Sequence, residues 1–129
     1  MTGSERSLLI FEDRLDLGHL KILLEKYELN SRFINDRTKF LDECGTKKYD
    51  LLVVSGTAAV DHNLSIVDSL SMSKNSDTTI LMILDHYDIP PVDDLLKQDL
   101  HLITFPFTPQ EFVFRVFNIF RLQDTDDTI

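Results

Sequence analysis

The sequence alternates short apolar runs with segments of helical periodicity, and this alternation restricts the fold more than any other feature. The four clearest runs cover residues 8–11, 51–54, 80–84 and 102–105. Continuous apolar runs of this length are typical of parallel strands covered on both faces, because neither face of the strand meets water. We therefore predict four buried strands, and a weaker fifth at residues 31–35, where polar alternation indicates an edge strand.

The segments between the runs have the spacing of amphipathic helices. In the first segment, apolar residues recur every three or four positions at Leu17, Leu20, Leu24 and Tyr27, with Ile22 and Leu23 widening the stripe. Further helices are predicted over residues 37–47, 64–71 and 92–97. The last helix has the clearest signal, because Thr108-Pro109-Gln110-Glu111 is a capping box placed directly before the apolar stretch 112–122.

Strands and helices therefore alternate five times, which predicts βαβ units with right-handed crossovers and a parallel sheet. We predict a flavodoxin-like α/β domain in which helices cover both faces of a five-stranded sheet. The 129 residues fit one domain of ordinary size. We expect order over about residues 7–122 and flexible ends at residues 1–6 and 123–129, because residues 124–128 offer nothing to bury.

The composition disfavours several classes of function. A formal net charge of −9 disfavours direct binding to nucleic acid, which requires a patch of lysines and arginines. Cys44 is the only cysteine, so neither an intrachain disulfide nor a thiolate metal cluster can form. The N-terminal segment is polar, and the apolar run after it is too short for a signal peptide or a membrane span. We therefore expect a cytoplasmic protein without a membrane segment.

An acidic pair, Glu12 and Asp13, directly follows the first predicted strand. The carboxyl ends of parallel strands meet at one edge of the sheet, and carboxylate oxygens at that edge suit magnesium. With this pair and five β-α units, the chain resembles the receiver domain of bacterial response regulators over about residues 7–122. That family also carries an aspartate ending the third strand, a hydroxyl residue ending the fourth and a Lys-Pro pair after the fifth. Together these groups bind magnesium and accept a phosphoryl group.

Three positions that the resemblance marks carry side chains unsuited to phosphate chemistry. Ser55 stands where the family has its acceptor aspartate, and a serine hydroxyl is a weak nucleophile unless a base activates it. Leu84 stands at the position of the hydroxyl residue and Phe105 at that of the lysine. The resemblance therefore implies a degenerate receiver domain that is not phosphorylated on aspartate. We predict no catalytic residues and no enzymatic activity.

Two further positions complete the comparison with the family. Pro106 follows the fifth strand where the family holds a cis peptide bond, and a proline reduces the cost of that isomer to about 0.5–1 kcal/mol. Leu102 stands at the position of the family's switch aromatic.

Because one anionic ligand is missing, we expect magnesium to bind weakly at best at Glu12 and Asp13, and we expect no other cofactor. Asp13 has an equally good alternative role as the N-cap of the first helix.

The apolar arc of the last helix spans about 160°, which is wider than the stripe of about 100° that a core-facing helix needs. Phe114 lies outside this arc, beside Arg121. Receiver domains commonly pair through their fourth and fifth helices and fifth strand. The resemblance therefore implies a homodimer or another protein partner at a surface that includes Phe114, Phe117, Arg121 and Leu102. The alternative is that Phe117 completes the core and Phe114 is a single exposed aromatic residue.

Two other functions remain open at this stage. A functional receiver domain would be phosphorylated at a non-standard residue such as Asp85, which follows the fourth strand. A small flavodoxin-like enzyme or ligand-binding protein would use the same edge of the sheet. That second alternative needs a loop that binds phosphate, whereas the segment after the first strand is acidic and contains no glycine over residues 12–16.

Overall fold

The computed structural model of the chain describes residues 6–12, 17–55, 70, 73–84 and 100–126. Five parallel strands in these residues form one sheet, β1 (Ser7–Phe11), β2 (Asn30–Ile34), β3 (Leu51–Ser55), β4 (Ile80–Leu84) and β5 (Leu100–Thr104). Their order across the sheet is β2-β1-β3-β4-β5, with β2 and β5 at the two edges. The predicted flavodoxin-like α/β fold is therefore confirmed.

Three helices lie within the described residues, α1 (Leu20–Lys26), α2 (Arg37–Thr46) and α3 (Pro109–Asp126). The helices predicted at residues 64–71 and 92–97 fall outside the described part of the chain, apart from Leu70, which is buried. Asp36 caps α2, because its carboxylate accepts a hydrogen bond from the main-chain N–H of Lys39 (3.1 Å).

Side chains from alternate strand positions form two separate cores. In β1, Leu8 and Ile10 face the core that α1 and α3 cover, whereas Leu9 and Phe11 face the core that α2 covers. Phe11 stacks on Phe40 of α2 with their ring centroids 5.1 Å apart. All four of these β1 residues are buried, which explains why the apolar run is continuous. In contrast, Ile34 is the only buried residue of the edge strand β2.

The end of β5 and the buried face of α1 differ from the predictions. β5 ends at Thr104 because Phe105 turns out of the strand, while the main-chain N–H of Phe105 still donates to the carbonyl oxygen of Leu84 (2.7 Å). In α1, Ile22 does not widen the buried stripe and is 78% exposed. Leu20 and Leu24 are buried in the core, since positions four residues apart share one face of a helix, and Leu23 packs against it as a partly buried residue.

α1 ends in a Schellman motif with an unusual residue at its left-handed position. The main-chain N–H of Leu29 donates to the carbonyl of Leu24 (3.0 Å), and that of Glu28 donates to Glu25 (3.0 Å). Glu28 has a φ of 61°, a conformation that glycine adopts without steric cost. Leu24 and Leu29 are both buried in the same core, which is the apolar contact that accompanies this motif.

We therefore expect Glu28→Gly to raise the free energy of unfolding by about 0.5–1 kcal/mol, because it removes the left-handed strain of a side chain. Glu25→Gly is the matched control, since Glu25 lies inside the helix, where glycine costs about 1 kcal/mol. Urea unfolding of both variants measures the effect. A Glu28→Gly protein that is less stable than the parent would contradict the expectation.

α3 begins as the sequence predicted but continues further. The hydroxyl of Thr108 accepts a hydrogen bond from the main-chain N–H of Glu111 (3.0 Å), which is one half of the predicted capping box. Its core face consists of Phe112, Val113, Val116, Ile119 and Phe120. The helix passes the predicted end at residue 122 and reaches Asp126. The side chain of Gln123, expected in a flexible tail, donates to the hydroxyl of Thr79 (3.1 Å).

Candidate functional site

Parallel pairing brings the predicted site positions to one edge of the sheet. Phe11 pairs with Val54, so Glu12 and Ser55 lie at the same level on neighbouring strands. Leu84 pairs with Thr104, which places Phe105 one residue beyond the end of β4. The edge therefore holds Glu12, Ser55, Leu84 and Phe105, with Ser55 between the acid and the two apolar residues. Asp13 and Asp85 lie outside the described residues.

Glu12 is half-buried and already hydrogen-bonded. Its main-chain N–H donates to the carbonyl of Ile34 (3.0 Å), which continues the pairing of β1 with β2. Its carboxylate oxygen Oε2 accepts from the main-chain N–H of Leu17 (3.2 Å), and Leu17 leads into α1. The carboxylate thus anchors the chain before the first helix. The N-cap residue of α1 is His19, so the alternative role of Asp13 as N-cap of this helix is not confirmed.

Apolar packing occupies the side of the edge formed by β4 and β5. Leu84 is buried in the core beneath α2, and Phe105 packs against the other core. The ring of Phe105 makes an edge-to-face contact with Phe107 (5.8 Å between centroids), and Phe107 stacks on Phe112 of α3 (5.7 Å). The Phe105–Pro106 peptide bond is cis, the isomer that the sequence analysis expected. Phe105, an aromatic side chain that packs against the core, therefore stands where the resemblance would place a lysine.

The described residues at this edge offer a magnesium ion a single carboxylate. Magnesium is usually held by one or two carboxylates, and in the described part of the chain only Glu12 supplies a carboxylate at this edge. That group is engaged with Leu17. Leu84 and Phe105, two and three strands further along the sheet, have no oxygen ligand in their side chains. Among the described residues, no three His, Cys, Asp or Glu side chains converge on a point where they could hold a metal ion.

The predicted contact residues of α3 lie on its outer face. Phe114 is 68% exposed, whereas Phe117 is 40% exposed and packs edge-to-face on Tyr27 of α1 (5.7 Å between centroids). Arg121 is exposed on the same face. Leu102, on the edge strand, is half-buried and packs against the core beneath α2. The structure therefore brings Phe114, Phe117 and Arg121 together but places Leu102 on a different side of β5.

A groove of about 360 Å³ runs between β5 and α3 beside this face. It is lined by His101, Ile103, Glu111, Phe114, Arg115, Asn118, Ile119 and Leu122. Arg115 spans the groove, because its Nη1 donates to the carbonyl oxygen of Leu102 (3.0 Å) on the outer edge of the sheet. Sequence reasoning missed Arg115, since a charged residue on an exposed helix face carries no signal for a contact with a strand.

The sequence matches no protein-family model and no curated protein. Solved structures resemble the chain in three dimensions. One is a protein described within a novel family of redox sensors in the streptococci that evolved from two-component response regulators. It has a TM-score of 0.78 and 22% identity, and the match covers 95% of this chain but only 54% of that one. The chain therefore spans about half the length of this first structural neighbour.

Two more neighbours extend the comparison. The inactive form of the regulatory domain from the repressor of iron transport regulator has a TM-score of 0.73 and 22% identity, with 90% of this chain and 95% of that chain covered. A response regulator from Burkholderia pseudomallei, solved with a phosphorylated aspartic acid, has a TM-score of 0.65 and 20% identity, covering 85% and 65%. These neighbours are described as a response regulator, as a protein that evolved from response regulators and as a regulatory domain, and the chain has their fold. Within the described residues, no helix is long and apolar enough to cross a membrane.

Proposed function

We propose that the chain is a signalling module of receiver fold that acts by binding a protein partner and does not take up phosphate on aspartate. The observation that carries this proposal is the apolar packing of Leu84 and Phe105 at the carboxyl edge of the sheet. Transfer of a phosphoryl group needs a nucleophile and positive charge that balances the developing negative charge. Ser55 and Phe105 supply neither at the positions that the family uses.

The test is incubation with magnesium and acetyl phosphate, followed by intact mass measurement and by amide NMR of residues near Glu12, Ser55 and Leu84. We expect an unchanged mass and unmoved amide signals, while a phosphorylatable receiver domain treated in parallel gains a phosphoryl group. A phosphoryl increment on this chain would refute the proposal. Mapping the modified residue would then show whether Asp85 had replaced the missing acceptor.

The outer face of α3 supports a role in protein contact. An exposed aromatic side chain beside arginine is the composition that interfaces favour, because the ring supplies apolar area and the guanidinium supplies directed hydrogen bonds. Phe114, Phe117 and Arg121 have this arrangement, and Tyr27 extends the aromatic surface onto α1. The partner is a second copy of the chain or another protein of the same signalling pathway. Direct contact with nucleic acid is disfavoured by the net charge of −9.

Phe114→Glu is expected to weaken self-association by about tenfold or more, because it places a carboxylate where an apolar ring would be desolvated. Ile22→Glu is the matched control, since Ile22 is also an exposed apolar residue on a helix and is 78% exposed, but belongs to α1. Sedimentation velocity over a concentration series measures the effect. Equal sedimentation of the parent and Phe114→Glu proteins would count against a homodimer through this face.

The single cysteine is not proposed as a redox site, although one structural neighbour is described among redox sensors. Cys44 is fully buried in α2. Burial raises the pKa of its thiol from the ordinary value to about 12, and the neighbouring Glu43 carboxylate adds to the rise. Since the thiolate is the reactive form, the folded chain holds this sulfur in an inert state at neutral pH.

We expect iodoacetamide to modify Cys44 in the folded chain at pH 8 at least about a hundredfold more slowly than in the urea-unfolded chain. The same shift has a consequence for stability. Because the folded pKa lies above the unfolded value, the thiol's contribution to stability is complete below about pH 8.5. It is lost as the pH rises towards 12. Comparable labelling rates in the folded and unfolded chains would show that Cys44 is accessible and would contradict the expectation.

A further inference from the structure

The last turn of α3 is helical although its own sequence opposes a helix. Asp124 and Asp126 stand at the helix C-terminus, and the last turn contains no basic residue. Carboxylates at this end interact unfavourably with the helix dipole, and aspartate and threonine are poor helix formers. The sequence accordingly predicted a helix that ends at residue 122. Contacts from outside the helix must therefore hold residues 123–126 in place.

Those contacts come mainly from Arg6, which precedes β1. Its Nη1 donates to Oε1 of Gln123 (3.2 Å), and its Nη2 donates to the carboxylate of Asp124. The guanidinium also lies over the ring of Phe120, 4.9 Å from the centroid. Gln123 makes a second hydrogen bond outside the helix, because its side-chain amide donates to the hydroxyl of Thr79 (3.1 Å). These groups join the start of the described chain to the end of its last helix.

The main chain of Arg6 is fixed independently of this cluster. The main-chain N–H of Asn30 donates to the carbonyl oxygen of Arg6 (2.9 Å), which extends the β1–β2 pairing by one residue. Phe120 is buried in the core by its own packing. The Arg6 side chain can therefore leave Asp124 without unfolding the sheet or the body of α3.

We propose that Arg6, Phe120, Gln123 and Asp124 form a latch that keeps the last turn of α3 folded. When the guanidinium is engaged, residues 123–126 are helical; when it is released, the turn unwinds while the rest of the domain stays intact. The order of the helix end thus depends on the residue that precedes the first strand. The dependence is reciprocal, because energetic coupling between two sites acts in both directions. This inference stands apart from the proposed function, since it does not involve the carboxyl edge of the sheet.

The test is amide hydrogen exchange followed by NMR on the whole chain. In Arg6→Gln, we expect amides of residues 123–126 to exchange about tenfold faster, the loss that follows from removing a charge-assisted hydrogen bond. Amides of β1, β3 and β4 should keep the protection they have in the parent. Arg32→Gln is the matched control, because Arg32 is an exposed arginine of β2 that makes a long ion pair with Glu43 (3.8 Å). It should leave residues 123–126 unchanged.

Ionic strength provides a second measurement. The Asp124 side chain is 59% exposed, so 1 M salt should screen its attraction to Arg6 and speed exchange of the last turn in the parent. The Arg6→Gln variant should not show this acceleration, because the charge interactions left at its helix end are unfavourable ones with the helix dipole, which salt weakens. Equal exchange of residues 123–126 in the parent and Arg6→Gln would overturn the proposal. Faster exchange throughout the sheet would also overturn it, because Arg6 would then support global stability instead of one turn.

Discussion

Asn75→Ala is expected to lower the free energy of unfolding by about 3–5 kcal/mol, because it leaves several buried main-chain groups without partners. The Asn75 side chain is fully buried. Its Oδ1 accepts from the main-chain N–H of Tyr49 (2.8 Å) and from the hydroxyl of Thr78 (3.0 Å). Its Nδ2 donates to the carbonyl oxygens of Cys44 and Lys47, both at 2.8 Å. One side chain thus joins the end of α2 to the segments that lead into β3 and β4.

Urea unfolding of Asn75→Ala tests this expectation. Asn35→Ala is the matched control, because Asn35 is exposed and its loss should change stability by no more than about 0.5 kcal/mol. A loss below about 1 kcal/mol for Asn75→Ala would mean that the surrounding groups find other partners.

Asn75→Asp distinguishes the hydrogen bonds that Asn75 accepts at Oδ1 from those that it donates from Nδ2. It retains the acceptor but points a second oxygen at the carbonyls of Cys44 and Lys47, which disfavours the charged form. The new carboxyl should therefore have a raised pKa in the folded state. It follows that the variant is most stable below the unfolded pKa of about 4 and loses stability as the pH rises. Urea unfolding between pH 4 and 8 measures the trend, and a stability difference from the parent that does not change with pH would contradict it.

Ser55→Asp is expected to strengthen magnesium binding at the carboxyl edge of the sheet. Ser55 ends β3 at the same level as Glu12 on β1, and neighbouring strands lie about 4.8 Å apart. A second carboxylate at this distance supplies the oxygen ligand that the described edge is missing. We expect magnesium to bind to Ser55→Asp about tenfold more tightly than to Ser55→Asn. The asparagine side chain has nearly the same shape as aspartate but no charge.

Amide NMR during a magnesium titration measures this binding at Glu12 and Leu17. Equal titration curves for the aspartate and asparagine variants would contradict the expectation. Adding Phe105→Lys to Ser55→Asp would also return a cation to the edge. The double variant tests whether phosphoryl uptake from acetyl phosphate follows once the acceptor and the balancing charge are both present.

The proposed site could be located from the sequence because it depends on strand ends. The runs ending at Phe11, Val54 and Leu84 mark where chemistry-bearing residues must lie in a parallel sheet, and the structure places those ends at one edge. The sequence also shows directly that Ser55 and Phe105 stand at these positions. The contacts of Phe105 could not be predicted from the sequence. They depend on the turn into α3, which brings Phe107 against Phe105 and Phe112 against Phe107.

The sequence by itself determined the strands, their parallel arrangement and which residues stand at the strand ends, since periodicity and residue identity are local properties. The tertiary structure decided the roles of single polar groups. Glu12 became an anchor for Leu17, Asn75 joined three segments, and Arg6 extended the last helix to Asp126. Each of these contacts links residues whose approach depends on how the whole chain packs. No pattern within a short window of sequence carries that information.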